Sequence, residues 1–111
     1  MLSRCTAFGI VGLDPIPVTV ELDVRAGLPA FTIVGLGDAA VRESRERVRA
    51  AIVNSGFEFP LKRIVANLAP ASVRKSGPGF DAAIAASLLA ASEQIPILSL
   101  EGVAVHGELS L

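Results

Sequence analysis

Hydrophobic and polar residues alternate most regularly between Val18 and Arg25. Valine and leucine fill the even positions of this stretch, and threonine, glutamate, aspartate and arginine fill the odd ones. That period of two predicts a half-buried β-strand with one solvated face. Residues 26–29 are typical of a turn, and residues 30–34 return as an apolar strand. The pattern therefore predicts that these two strands pair as an antiparallel hairpin.

Further extended segments surround this hairpin. The chain starts with an apolar stretch that predicts a first strand, and Gly12, Pro15 and Pro17 after it are typical of turns and strand edges. Apolar residues again alternate at two later places, where more strands are expected. The three predicted strands are residues 3–10, 63–68 and 102–106, with another extended stretch over 108–111.

Helical spacing appears between the strands. Asp38 precedes an amphipathic run as an N-cap residue does, and Gly56 follows it, which predicts one long helix over 38–55. Its apolar stripe contains Val41, Ser44, Val48 and Ile52. Its opposite face is charged, and two pairs have ion-pair spacing: Arg42 with Glu46, and Glu43 with Arg47.

The stretch from Arg74 to Ala91 joins a basic, Gly/Pro-rich loop to a second helix. Pro78 suits a first helical position, and Asp81 falls in the first turn, where the helix dipole favours a negative charge. From Ala82 onward the helix is apolar almost all round, so we expect it to be buried on every side. The run is too short to cross a bilayer, which takes roughly 20 apolar residues.

The order of these elements is β-β-β-α-β-α-β. This order predicts an α+β fold, a two-layer sandwich in which a mixed sheet carries helices on one face. With 111 residues the chain is expected to be a single domain, residues 1–111. The alternating segment GELSL continues to the last residue, so we expect the chain to be a fragment of a longer protein.

Composition narrows the class of protein. Hydrophobic residues make up 51% and charged residues 19%, which excludes a disordered chain. The net charge of −1 excludes a domain that attracts nucleic acid through its overall charge. One cysteine, Cys5, permits no internal disulfide, and no signal peptide is recognisable. These observations predict a cytoplasmic protein without a membrane segment.

The run from Gly35 to Ala40 matches the G-x-G-x-x-A pattern of dinucleotide-binding folds. However, no acidic residue ends the next strand, and Asp38 would lie where a pyrophosphate binds. The alternative interpretation is that Gly35 and Gly37 only permit a tight turn between strand and helix. No Walker A loop is present, because Ala69 and Arg74 stand where glycines are required.

The loop before the second helix offers other chemistry. Arg74 and Lys75 at a glycine-rich turn are candidates for a phosphate contact, with a solvated loop as the alternative. Ser72 and Ser76 beside Lys75 raise the hypothesis of a serine–lysine pair, although adjacent loop residues seldom place a base within hydrogen-bond reach. Elsewhere, His106 has no partner at ligand spacing and Cys5 lies in an apolar strand, so neither predicts a metal site or a nucleophile.

Three blocks of the sequence resemble a known family: GLPAFTIVGLGDAAVRESRERVRAAIVNSGFEFP, RIVANLAPASVRKSGPGFDAAIAASLLAA and GELSL. They are similar to the N-terminal domain of the YifB/ComM family, which are magnesium-chelatase-like AAA+ ATPases of bacteria. The resemblance implies a fold like the proteolytic domain of Lon proteases. In that fold the nucleophilic serine follows a Gly-Pro pair, and Gly79 occupies its position here, so the resemblance implies a domain that is not an enzyme.

The resemblance also implies a role in a larger machine. ComM-like proteins are implied to be hexameric helicases that carry out branch migration of DNA during natural transformation. We therefore expect no cofactor in this chain, and ATP and Mg²⁺ in the ATPase module of the parent protein. Expected partners are that module, other copies in a homo-hexamer, and DNA. Candidate DNA contacts are Arg74, Lys75, Lys62 and Arg63; the alternatives are an oligomerisation domain without DNA contact and a Lon-type serine–lysine peptidase.

Overall fold

The computed structural model of the chain describes residues 1–11 and 13–111, and of Val11 only the backbone. Within these residues one sheet contains the strands β1 (Leu2–Val11), β2 (Asp14–Arg25), β3 (Ala30–Val34) and β4 (Arg63–Ala69). The α-helices are α1 (Ala39–Arg42), α2 (Ser44–Asn54) and α3 (Asp81–Ala91), and short 3-10 helices span Pro78–Phe80 and Ile97–Leu100. The turn predicted at Gly12 lies outside the described residues.

The strand order in the sheet is β1-β2-β4-β3. β2 is antiparallel to both β1 and β4, whereas β3 is parallel to β4. The predicted hairpin of β2 with β3 is therefore wrong, because β4 lies between them. Two strands of one sheet that are joined by a helical crossover run parallel. β3 and β4, joined by α1 and α2, follow this rule.

The core lies between the sheet and its helices, which cover one face only. The even-numbered residues of β2 that alternation predicted to be buried are 0–5% exposed: Val18, Val20, Leu22 and Val24. Ile64, Ala66 and Leu68 of β4 continue the same layer at 0%. The predicted α+β class, with a mixed sheet and helices on one face, is confirmed.

The long helix predicted over residues 38–55 is divided in two at Glu43. Asp38 caps the first part as predicted, since its Oδ1 accepts from the Val41 amide at 2.9 Å. The carbonyl of Ala40, which a continuous helix would pair with the residue 44 amide, accepts instead from the Arg47 guanidinium at 2.7 Å. A side chain thus replaces a backbone partner at the break.

The apolar face of this helical segment agrees with the prediction, whereas its charged face agrees only in part. The stripe is confirmed, because Val41, Ser44, Val48 and Ile52 are all buried. Of the predicted ion pairs, Arg47 lies 3.9 Å from Glu43. Arg42 donates to the Gly37 carbonyl at 2.9 Å, and among the described residues it forms no ion pair with Glu46.

α3 packs against β1 and β2, and eight of its residues are buried. Ala82, Ala86 and Leu89 are only half-buried, so the predicted burial on every side is wrong along this line of the helix. Among the described residues, no helix combines the length and apolar character needed to cross a membrane.

The strand predicted over residues 102–106 does not form a ladder. Thr6 of β1 and Ala104 make one isolated parallel bridge, with the Val105 amide donating to the Thr6 carbonyl at 2.8 Å. Beyond it the chain turns to α3, where Gly107 exchanges hydrogen bonds with Gly79 (2.8 Å) and Ala82 (3.0 Å). The backbone that a strand would pair with β1 is thus used to hold the start of α3.

Candidate functional site

The basic loop after β4 is folded onto the turn between β3 and α1. Lys75 is 1% exposed, and its Nζ donates to the carbonyls of Gly35 (2.6 Å) and Pro70. Burial lowers the pKa of this ammonium group. Both the candidate phosphate contact of Lys75 and its alternative, a solvated loop, require an exposed ammonium group, whereas the structure buries this one. Lysine is normally exposed, and here its stem is buried while two carbonyls bind its charge.

The backbone of Lys75 reinforces the same contact. Its amide donates to the Leu36 carbonyl and its carbonyl accepts from the Asp38 amide, both at 3.0 Å. Gly35 has φ +113°, and a Cβ there would overlap the backbone of Leu68. At Gly37 a Cβ would lie 2.6 Å from Val41. These contacts support the interpretation that the two glycines permit a tight turn between strand and helix.

The carboxylate of Asp38 occupies the N-terminus of α1. It accepts from the amides of Val41 (2.9 Å) and Gly77 (3.2 Å). These bonds, the first above all, with the nearby charge of Arg74, lower the pKa of Asp38. The protein's own anion thus fills the position that a pyrophosphate takes in dinucleotide-binding folds, and α1 has only four residues. The geometry argues against a dinucleotide at Gly35–Ala40.

Gly79, at the position where Lon proteases carry their nucleophile, faces His106. A Cβ on Gly79 would overlap the imidazole ring, whose centroid lies 6.0 Å from that of Phe80 in an edge-on arrangement. The two residues line an open groove of about 500 Å³ together with Phe8, Ile10, Ser76 and Pro78. The space for a nucleophilic side chain is therefore filled by a ring from the last part of the chain.

The serine–lysine hypothesis has no support from the geometry around this groove. Ser76 is exposed and lines it, but the Lys75 ammonium donates to the carbonyls of Gly35 and Pro70, which do not line this groove. A general base has to reach the hydroxyl it activates. Lys75 is instead a structural residue that joins the β3–α1 turn to the loop after β4.

The remaining candidate DNA contacts are exposed but not adjacent. Lys62 and Arg63 lie at the start of β4, whereas Arg74 follows its end. Seven strand residues separate these ends by roughly 20 Å. Arg63 instead has a basic neighbour that the sequence analysis missed: Arg25, its register partner on β2. Predicting this pair requires the β2–β4 register, which the alternation of each strand alone does not give.

A buried charged cluster was also missed. Asp81 is 0% exposed, and its carboxylate accepts from Arg47 Nε at 2.6 Å, from the Ser44 hydroxyl and from the Leu109 amide at 3.1 Å. The hydrogen bond and charge of Asp81 raise the pKa of Arg47. This cluster joins α2, α3 and the last extended segment, so its role is to position the elements around the groove.

The part of the chain that the structure describes contains neither a metal-binding group nor an exposed thiol. There, no three His, Cys, Asp or Glu side chains come together as a metal-binding group. Cys5 is 2% exposed, and burial raises the pKa of its thiol. A buried thiol held in its protonated form is a small apolar residue of the core.

Comparison with known proteins defines the family. The family model described as "Subunit ChlI of Mg-chelatase" matches residues 20–111. The YifB protein of Salmonella typhimurium is 50% identical over 101 residues, and the competence protein ComM of Haemophilus influenzae is 43% identical over 101 residues. The chain belongs to the YifB/ComM family. Each match covers 91% of the chain and 20% of the relative.

The chain is also similar to mycobacterial proteins. The protein Mb2921c of Mycobacterium bovis is 44% identical over 110 residues, which is 99% of this chain and 22% of that protein. The chain thus spans about a fifth of the length of the curated relatives it matches.

Proposed function

We propose that this chain is a non-catalytic accessory domain of a longer magnesium-chelatase-like AAA+ ATPase that remodels DNA in the bacterial cytoplasm. In this proposal the parent protein is a hexameric helicase that carries out branch migration during natural transformation. ATP and Mg²⁺ act in a module outside this chain. The proposal draws on the match to the ChlI family, on a relative named for competence, and on the fifth of the relatives' length that this chain covers.

The observation that carries the non-catalytic role is the contact between Gly79 and His106. Position 79 has no hydroxyl, and the imidazole fills the space that a serine side chain would need. Lys75, the basic side chain closest in sequence, is bound to the Gly35 and Pro70 carbonyls. The loop before α3 thus offers neither a hydroxyl at position 79 nor a free lysine amine beside it, which supports a non-catalytic role.

The proposed DNA contact is centred on the start of β4. Arg63 and its cross-strand neighbour Arg25 are exposed on the uncovered face of the sheet, and Lys62 precedes them. Arg25 also contacts Asp23, which leaves Arg63 as the stronger phosphate ligand of the two. Arg74 forms a second, separate contact. Phosphate contacts of this kind release counterions, so the affinity falls as the salt concentration rises.

The test uses the complete protein that carries residues 1–111. The double variant Arg25→Ala/Arg63→Ala is expected to reduce the slope of log affinity against log salt concentration by about 1–2, and Arg74→Ala by about 1. Arg45→Ala, which removes an exposed charge from α2, is the matched control and should leave the slope unchanged. Unchanged slopes in all three variants would contradict the DNA contact and favour the oligomerisation alternative.

The peptidase alternative is tested separately. The complete protein is incubated with an unfolded protein substrate and with a serine-reactive fluorophosphonate. We expect neither cleavage nor labelling within residues 1–111. Labelling at Ser72 or Ser76 would contradict the non-catalytic role whatever the result of the DNA experiment.

A further inference from the structure

The outer edge of β1 is unpaired over the last residues of the strand. The Thr6 carbonyl points away from β2, because it accepts from the Val105 amide beside the isolated bridge to Ala104. Backbone groups of alternate strand residues point to the same edge, so the N–H and C=O groups of Phe8 and Ile10 also point away from β2. Within the described residues, no backbone hydrogen bond from outside the β1–β2 ladder reaches these groups.

Two prolines on β2 agree with this orientation. Pro17 lies opposite Phe8, and Pro15 lies opposite Ile10, in the β1–β2 register. The two residues of a hydrogen-bonded pair exchange N–H···O bonds, which a proline without an N–H group cannot do. Both pairs are therefore non-hydrogen-bonded pairs, and the backbone groups of Phe8 and Ile10 remain for a neighbour on the outer side of β1.

The groove at Gly79 lies beside this free edge. It is lined by residues 8–10 of β1 and by the loop of residues 76–79 before α3, with His106. Phe8 is 42% exposed and Ile10 is 73% exposed, so the same short segment supplies apolar side chains and unpaired backbone groups. The four residues from Phe8 to the end of β1 span roughly 13 Å, which is the length of a four-residue extended peptide.

The chain itself shows which kind of segment this edge accepts. Ala104 lies beside Thr6 in a parallel bridge, so an extended segment already contacts the outer edge of β1 there. After His106 the chain turns away to the start of α3, which leaves the edge unpaired from Phe8 onward among the described residues. A peptide that continues the same pairing runs parallel to β1, and its carboxyl end lies toward the end of this strand.

Charge at the end of β1 favours a basic peptide over nucleic acid. Asp14 is exposed and is the register partner of Val11, and in the described part of the chain it forms no ion pair. Between Phe8 and Val18 the sequence has no lysine or arginine. A phosphate backbone would therefore find no cation on this segment, whereas a lysine at the carboxyl end of a parallel peptide would lie close to Asp14.

We propose that the end of β1 binds an extended apolar peptide of a partner protein as an additional parallel strand. The peptide backbone pairs with the N–H and C=O groups of Phe8 and Ile10, and its apolar side chains enter the groove at Gly79. A basic residue at its carboxyl end pairs with Asp14. Position 79 carries no hydroxyl, so the peptide is held without being cleaved there. Recruitment of a protein partner is separate from the DNA contact proposed above.

The first experiment measures binding of a capped, fluorescent peptide, VSVSVSK, to the complete protein that carries residues 1–111. We expect saturable binding in fluorescence anisotropy with a Kd below about 1 mM, and the absence of binding at that concentration would overturn the proposal. Ile10→Asn, which removes an exposed apolar side chain from the groove, should weaken binding by roughly fivefold or more. Leu28→Asn, at an exposed leucine outside the groove, is the matched control and should bind like the unsubstituted protein.

A second peptide tests the charge contact. With glutamate in place of the terminal lysine, the peptide should bind more weakly, because its charge then repels Asp14. Equal affinities of the two peptides would contradict the contact with Asp14 and the parallel direction that places the lysine there.

Backbone pairing is tested with methylated peptides. N-methylation of either the valine amides or the serine amides removes alternate donors, and only one of these two sets faces β1. One methylated peptide should therefore lose binding while the other retains it, and equal effects of the two would refute pairing as a strand.

Hydrogen exchange of the complete protein locates the bound peptide. The peptide should slow exchange over residues 8–10 and leave β3, the other edge strand, unchanged. Protection of residues 8–10 that appears without peptide as the protein concentration rises would mean that a second copy occupies this edge, and would overturn the proposal. Ile10→Asn should leave the DNA affinity and its salt slope unchanged, so this proposal can fail while the proposed function stands.

Discussion

Arg47 of α2 forms an ion pair with Asp81 of α3, with Nε 2.6 Å from Oδ2. Asp81 is fully buried, whereas the Arg47 side chain keeps 21% of its exposure. The Ser44 hydroxyl and the Leu109 amide complete the carboxylate's partners. Burial of a charge is tolerated only when the charge is paired and hydrogen-bonded, and this cluster meets both conditions.

Removing Arg47 should therefore destabilise the domain strongly. We expect Arg47→Ala to lower the free energy of unfolding by about 3 kcal/mol, because it leaves the Asp81 carboxylate buried without its cation. Chemical denaturation measures this value, and Arg45→Ala, an exposed neighbour on α2, should change it by less than about 0.5 kcal/mol. In a double-mutant cycle with Asp81→Ala, a coupling energy near zero would contradict a structural role of the pair.

Lys75 provides a prediction about pH. Its folded-state pKa is lowered by burial below 10.5, so between the two pKa values the unfolded chain binds a proton that the folded chain does not. Stability should therefore rise with pH in the window that ends near 10.5. Lys75→Met, which removes the amine, should lack this rise and should lose about 1–3 kcal/mol at pH 7, because two buried carbonyls lose their donor.

The measurement for Lys75 is denaturant unfolding at pH 7 and at steps up to pH 10.5. The control is Lys62→Met, which removes an exposed lysine that precedes β4, whereas Lys75 follows the end of this strand. Parallel pH curves for Lys75→Met and the unsubstituted chain would show that Lys75 does not titrate in this window.

Gly79→Ser should cost stability and create no peptidase. The new Cβ overlaps the His106 ring, but that ring ends an exposed side chain and can rotate, so we expect a loss of about 1 kcal/mol, at the low end for overpacking. The double variant Gly79→Ser/His106→Ala should recover most of this loss, as measured by thermal unfolding. Equal melting temperatures for the single and double variants would indicate that His106 does not occupy the space at position 79.

Two alanines of α3 predict opposite responses to the same substitution. Ala83 is 0% exposed and Ala86 is half-buried. Ala83→Leu should destabilise the domain by about 1–3 kcal/mol, because three added heavy atoms have no space in a packed layer. Ala86→Leu should change stability by less than about 1 kcal/mol. A similar loss for both variants, measured by denaturant unfolding, would mean that the side facing solvent is as tightly packed as the sheet side.

Local patterns predicted the elements better than their arrangement. The alternation of Val18–Arg25 correctly gave both a strand and its buried face, because one side of that strand meets the core. The partner of β3 could not be read from alternation, since period two is the same whichever strand lies alongside. The βαβ order of β3, α1–α2 and β4 was the signal that could have given their parallel pairing.

The candidate site was harder to predict, because its contacts join segments that are distant in sequence and local patterns do not reveal such contacts. Lys75 is an ordinary loop lysine in the sequence, and only the packing of the β3–α1 turn against the loop gives its ammonium two carbonyl partners. Arg47 and Asp81 are 34 residues apart, so neither helix pattern reveals their contact. Gly79, in contrast, was identified from its position after Gly77-Pro78, but the ring of His106 that fills its space comes from a distant segment.

The bond between the Leu109 amide and Asp81 has a consequence for the end of the chain. Leu109 belongs to an extended stretch without regular secondary structure, where amide protons ordinarily exchange with water within moments. Its acceptor, however, is the carboxylate of Asp81, which is fully buried between the helices. In deuterium labelling, this amide should therefore exchange more slowly than the amides of its exposed neighbours Glu108 and Ser110.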